Sequence, residues 1–367
     1  MINRYMYANV LKVLLYIFFI VTSYVTIFKI TFMDDLIVMA MIVMQILFIT
    51  LHYKKIKRET AITMLMLVVI SAYFIYGNIC KSNGHNFNNF FVYFKIIVFM
   101  IQAQFFEFDG IQKNIIMRKL VIISIPNIIY SFYEILCTYV RHTYLPGKYN
   151  SSGMYRLQGM TGHPLFYSLI LVVVLMYLLY YTKGVISYLC AGIVFCFCML
   201  TWSSLAQVAA ILLVGYKFYQ YTKVKGIIIK NIGIAVIIVL SGMLAFIFLE
   251  MIKETYTIRY ISVVETLKNI NYTTISVGAG FGAYTANGLS ESYIFHIMYD
   301  VGLLGLGFML YILGKLIKKQ IKKQNYAGTF IICLYFVNMV INEGYMIPFI
   351  ALIPILSGEQ MMTKKKI

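Results

Sequence analysis

The sequence predicts an all-α, polytopic integral membrane protein with about twelve transmembrane helices and two long extracytoplasmic loops. Three observations predict it. Hydrophobic residues make up 61% of the 367 and charged residues only 12%, a balance that a soluble domain of this length does not show. Apolar runs of about 17–25 residues recur along the chain, each long enough to cross a hydrocarbon core of roughly 30 Å. The charges lie in short clusters between those runs rather than across them.

The elements follow in order. The run 8–28 leads into a second span rather than a soluble domain, so it reads as a retained helix and not a cleaved signal. Spans 35–52, 61–78, 88–106 and 119–137 come next, and then the first long polar segment, 138–163. Span 164–181 opens at His163-Pro164, an arrangement that suits a helix start. Spans 185–201 and 204–220 form a tight hairpin through Thr201, Trp202 and Ser203. Span 232–250 precedes the second long segment, 251–290. There Ile258, Ile261, Val264 and Leu267 recur at near-helical spacing and predict a short amphipathic helix on the membrane face. Spans 291–314, 326–341 and 345–358 complete a single membrane domain, 1–367. The last is short and holds Pro348 and Pro354, so it either crosses or re-enters. No internal repeat of the kind many transporters carry is visible.

Charge sets the orientation. With both termini cytoplasmic, the inner segments hold the clusters Lys54–Arg58, Lys113–Lys119, Lys217–Lys230, Lys315–Lys323 and Lys364–Lys366, while the outer ones hold only scattered Lys and Arg. Basic residues resist translocation, so the rich face is cytoplasmic and both long loops are outside. The net charge of +18 is then a topology signal. No soluble domain is present to hold a duplex, and nucleic acid is not an expected partner.

Arg156, before the sixth span, reads either as an anion-binding fork or as an interfacial residue snorkelling to lipid phosphates. Arg259, in the second loop, carries the same two readings. Gly278-Ala279-Gly280-Phe281-Gly282 is a backbone that lets amides approach a phosphate, or a flexible turn; its spacing is not that of a dinucleotide motif or P-loop. Glu291 follows Ser290 at the start of the tenth span. It reads as a helix-start carboxylate or as a general base at the lipid surface. His296 reads as a packing or pore-side residue. Lys95 and Glu134 lie in or near spans, where ionisable groups are functional candidates or snorkel. The six cysteines show neither a disulfide framework nor a zinc pattern, and no metal site or cofactor is expected.

Taken in order, these pieces resemble the O-antigen ligase and polymerase superfamily. The matching stretches are Arg156-x-x-Gly159 with His163-Pro164, Arg259 followed by Val277–Gly282, and Ser290-Glu291-Ser292-Tyr293-Ile294 running into Val301-Gly302-Leu303-Leu304-Gly305. The likeness covers the C-terminal two-thirds of the chain. It implies a membrane glycosyltransferase of the bacterial cytoplasmic membrane, acting on its outer face with an undecaprenyl-pyrophosphate-linked oligosaccharide as donor. It implies that Arg156 and Arg259 bind the pyrophosphate, that Glu291 is catalytic, and that His163, Gly278, Gly280, Gly282 and Tyr293 contact substrate. A chain-length regulator and a flippase of the same pathway are the implied partners, beside the bilayer itself.

Two departures bear on the reaction. The ligases carry a catalytic histidine where this chain has Glu291, and an acidic residue there is more similar to the Wzy-type polymerases. The arginine that often follows serine in the hairpin is missing at Ser203-Ser204-Leu205. The expected function is therefore a polysaccharide polymerase. A ligase moving the glycan to another acceptor and a lipid-linked oligosaccharide flippase are the rivals, with a non-catalytic lipid-binding sensor as a third. A transporter would gather ionisable residues at the bilayer midplane, whereas the polar residues here gather in the outer loops.

Overall fold

A computed structural model describes residues 4–24, 33–52, 68, 87–143, 145, 153, 155–222, 235, 238, 239, 242, 246, 264, 268, 275, 276, 278, 279, 293–341 and 347–362. No strand forms among the described residues. The helices are α1 (Arg4–Ser23), α2 (Met33–His52), α3 (Phe87–Phe105), α4 (Gly110–Ile135), α5 (Pro164–Tyr181), α6 (Val185–Leu200), α7 (Ser204–Thr222), α8 (Tyr293–Lys322) and α9 (Tyr326–Ile341), with two short turns, α10 (Ile347–Ile350) and α11 (Leu352–Leu356). Among the described residues, five helical stretches are long and apolar enough to cross a membrane: Arg4–Ser23, Met33–Thr50, Gly110–Val140, Pro164–Tyr181 and Ile294–Lys322. The expected spans 61–78 and 232–250 lie outside the described residues apart from single helical positions such as Val68 and Val239. So does the amphipathic helix of the second loop, apart from positions such as Val264 and Lys268, both helical.

The burial pattern suits lipid. On α4, Ser124, Asn127, Ser131 and Glu134 recur at helical spacing and are all buried, while Ile122, Ile125, Ile129 and Phe132 are exposed. A helix in water reverses that order. In hydrocarbon, apolar side chains face out and polar ones hold helices together.

Helices α4 and α8 depart furthest from their expected limits. Helix α4 starts at Gly110 rather than 119, because Asp109 caps it: its Oδ1 accepts the Gln112 amide at 2.7 Å. The polar first turns read as loop in the sequence. Lys113 is nevertheless fully buried, its ammonium donating to the Ser357 and Glu359 carbonyls at 2.5 Å each. Helix α8 runs on to Lys322 rather than 314 because its last turns are tied by ion pairs, with Lys319 lying 2.7 Å from Glu107 and Lys323 paired with the same carboxylate.

Burial pushes the Glu107 carboxyl up, but Lys319 and Lys323 outweigh it and hold its pKa below the ordinary glutamate value. A depressed folded pKa contributes stability above the unfolded pKa, and that stability is lost as pH falls through the folded value. The unfolding midpoint of Glu107→Gln should therefore lie below wild type at pH 7, and the gap should close as the medium is acidified through the carboxylate range.

The last apolar segment is not one continuous helix. It breaks at Ala351 into α10 and α11, each too short to cross alone. It is buried throughout Phe349–Leu356, Pro354 included. Its end is held by Asn325, which donates to the Leu356 and Gly358 carbonyls at 2.5 and 3.0 Å.

The chain divides into two compact units, one of residues 1–19, 30–113 and 258–361, the other of 20–29, 114–257 and 362–367.

Candidate functional site

In the unit containing 114–257, residues 155–160, ahead of α5, return to α4 and are clamped there. Glu134 accepts the Tyr155 hydroxyl at 2.7 Å on Oε1 and the Gly159 amide at 3.0 Å on Oε2. Two turns earlier on the same face, Asn127 Oδ1 accepts the Met160 amide at 2.6 Å. Glu134 is fully buried and holds loop donors, so of its two expected readings snorkelling is not the one observed. Burial, and then the Glu134 acceptor, push the Tyr155 phenol well up, so it stays protonated and donates.

Gly159 has φ +55°, and a Cβ there would meet the Tyr167 ring at 2.8 Å. Only glycine takes that backbone against that wall. The Tyr167 hydroxyl in turn accepts from Ser131 at 2.5 Å, so the polar face of α4 fixes both the loop and the first turn of α5.

The other edge of the loop lies on the α6–α7 hairpin. The Leu157 amide donates to the Leu200 carbonyl at 3.2 Å. Arg156 Nε donates to the Thr201 carbonyl at 3.2 Å, and its terminal nitrogens make no hydrogen bond to a described residue. Arg156 is half-buried, and burial lowers its pKa, with no carboxylate among the described residues to raise it. An arginine stays charged regardless. The result is a partly desolvated guanidinium whose terminal nitrogens find no acceptor among the described residues. An anion satisfies such a group better than water does.

His163 takes the position the sequence signalled. It is the N-cap of α5, with Nδ1 accepting the Leu165 amide at 3.2 Å, Pro164 at the first helical position and its ring 4.7 Å from that of Phe166. Its observed contacts are those of a helix cap.

In the unit containing 258–361, Gly278 and Gly302 meet backbone to backbone. Helix α8 breaks at Gly302, where φ is +69° and ψ −178°. A Cβ on Gly302 would lie 2.5 Å from the Ser276 carbonyl and 2.6 Å from the Gly278 amide, while one on Gly278 would strike the Asp300 carbonyl. The Ala279 amide donates to the Tyr299 carbonyl at 2.8 Å. One turn before the break, His296 Nε2 lies 2.8 Å from Asp300 Oδ2, both side chains buried. This pair was not among the expected site residues, although the i,i+4 spacing that brings it together is readable in the sequence.

Arg259, Gly280, Gly282 and Glu291 lie outside the described residues, and Tyr293 is the first residue of α8. Lys95 does not snorkel. It is buried on α3 between Asp34, with which it pairs directly, and Asp35 at 2.7 Å. Two carboxylates and an ammonium there give a local structural account of the charge. Among the described residues, no three His, Cys, Asp or Glu side chains gather as a metal site. No family model, curated protein or solved structure matches the chain. What is established is an all-α protein with several membrane-length helices, and its function is argued from its own residues.

Proposed function

We propose that this chain is a polysaccharide polymerase of the O-antigen and capsule type. It transfers a growing glycan from undecaprenyl pyrophosphate to the terminal hydroxyl of a second lipid-linked repeat unit. In this reading both termini are cytoplasmic and the reaction takes place on the outer face of the cytoplasmic membrane.

The observation that supports it is Arg156. A half-buried guanidinium on a clamped loop, with no carboxylate beside it among the described residues, suits the departing pyrophosphate. Charge-assisted hydrogen bonds act most where negative charge develops. Arg259 contributes a second cation from the other outer loop. Glu291 takes the proton of the attacking hydroxyl, although its reference pKa of about 4.3 makes it a weak base unless low dielectric raises it. The chemistry calls on no metal.

The test uses the full chain in lipid with undecaprenyl pyrophosphate carrying its repeat oligosaccharide, extracted from cells lacking this chain. A ladder of longer products that Arg156→Ala and Arg259→Ala abolish is the expected result. A single transfer to a different acceptor makes it a ligase. Movement of the lipid-linked substrate between leaflets without a ladder makes it a flippase and ends the enzyme reading. Loss of the ladder on adding chelator would count against a metal-free reaction.

A further inference from the structure

Resting on that reading, the turn that holds Arg156 also offers a place for the sugar. We propose that Trp202 is a glycan platform, its indole packing against the sugar ring that adjoins the pyrophosphate bound by Arg156.

Position is the first observation. The carbonyl that accepts Arg156 Nε at 3.2 Å is that of Thr201, and its peptide bond runs directly to Trp202. The Leu157 amide holds the same loop to the Leu200 carbonyl of the same hairpin. Trp202 is therefore the residue next to the anchor of Arg156. In a lipid-linked glycan the first sugar is bonded to the pyrophosphate, so a phosphate held by Arg156 brings that sugar to this turn.

Exposure is the second. Thr201 and Ser203 are 0% and 4% exposed, whereas Trp202 between them is 39% exposed. Its indole N–H donates to no described residue, and its ring meets no described ring or cation. An indole joins a flat apolar face to a single donor. A sugar ring presents the complement, a patch of C–H groups on one face and hydroxyl oxygens at its rim. The polyprenyl chain is pure hydrocarbon and gives the N–H nothing to bond, so the sugar is the occupant that uses both parts of the side chain.

The backbone is the third. Trp202 has φ +50°, a left-handed conformation that a bulky residue rarely takes. Glycine or asparagine adopts it at less cost, yet the position holds the chain's single tryptophan. The turn is fixed on every side. The Trp202 amide donates to the Met199 carbonyl at 3.2 Å, Thr201 Oγ1 to the Cys198 carbonyl at 2.7 Å, and Gln207 Nε2 to the Met199 carbonyl at 2.9 Å. Strained backbone that its surroundings hold in place gathers where ligands are clamped. A tryptophan that only anchors a helix end in the interfacial belt has no need of it.

The test uses the full chain in lipid nanodiscs and reads the indole directly. The probes are undecaprenyl pyrophosphate carrying its repeat oligosaccharide and bare undecaprenyl pyrophosphate. The glycan-bearing lipid should shield Trp202 from acrylamide quenching, and the bare lipid should shield it less. In the ladder assay Trp202→Leu should raise KM for the lipid-linked unit by roughly 2–10-fold with kcat nearly unchanged, and Trp202→Phe should keep most of the wild-type KM. Inhibition of the ladder by bare undecaprenyl pyrophosphate should be the same in Trp202→Leu and wild type, with thermal unfolding as the check on folding. Equal shielding by the two lipids, or a wild-type KM in Trp202→Leu, makes Trp202 an interfacial anchor and overturns the proposal. If KM and the inhibition constant rise together in Trp202→Leu, the residue only shapes the turn under Arg156, and the proposal fails. A wild-type chain that makes no ladder removes the polymerase reading. The shielding experiment then decides this proposal separately: glycan-specific shielding upholds it, and equal shielding ends it.

Discussion

Replacing Glu134 with alanine should release the segment 155–160 from α4 and abolish the proposed activity without touching the arginine. Glu134 is the only acceptor that the described contacts give to the Tyr155 hydroxyl and the Gly159 amide together. Its loss leaves two buried donors unpaired, each costing about 1–3 kcal/mol, so the expected destabilisation is roughly 2–6 kcal/mol. Glu134→Gln keeps one carbonyl oxygen but turns an NH₂ toward one donor, and should cost about half as much. Differential scanning in lipid reads the stability, and the product ladder reads the activity. Because Arg156 sits between Tyr155 and Leu157, both of them tied down, the two losses should appear together. A Glu134→Ala protein of wild-type stability and activity would mean that the clamp does not hold the loop.

The second large effect belongs to Gly302. A valine there meets backbone on two sides, the Ser276 carbonyl and the Gly278 amide, at a φ of +69°. Backbone cannot step aside as a side chain can, and a β-branched residue at positive φ is strained in itself. The expected cost is about 3 kcal/mol or more, seen as loss of stable protein during purification. Gly307→Ala is the control, because nothing lies within 4 Å of a Cβ at that position in the same helix. It should be neutral or stabilising by up to about 1 kcal/mol. Equal behaviour of Gly302→Val and Gly307→Ala would contradict the observed backbone contact.

The sequence makes local features readable and hides those that need partners far along the chain. His163-Pro164 marks the start of α5, and the helix runs over the expected 164–181. The hairpin at Thr201–Ser203 separates α6 and α7 as expected, with Trp202 at φ +50°. The start of α4 was hidden because Lys113 reads as a solvated charge, whereas its partners are carbonyls more than two hundred residues away. Glu134 was visible as an ionisable group near lipid. Its donors, though, come from a loop whose return path no periodicity encodes. Lys95 was ambiguous for the same reason, its partners lying in the first turn of α2. His296 and Asp300 are the opposite case. Their spacing is local and readable, and they lie within the Glu291–Gly302 interval that carries the family resemblance.

The chain contains a single tryptophan, and Trp202 follows the residue whose carbonyl holds Arg156. Its fluorescence is thus a direct reporter of the proposed pyrophosphate site. The measurement is a titration of the full chain in lipid nanodiscs with undecaprenyl pyrophosphate, and with undecaprenol as the control. A saturable change with the pyrophosphate alone is expected, weakened in Arg156→Ala by roughly 10–100-fold, the worth of one charge-assisted hydrogen bond of about 1.5–3 kcal/mol. A response equal for both lipids, or unchanged in Arg156→Ala, would contradict the account.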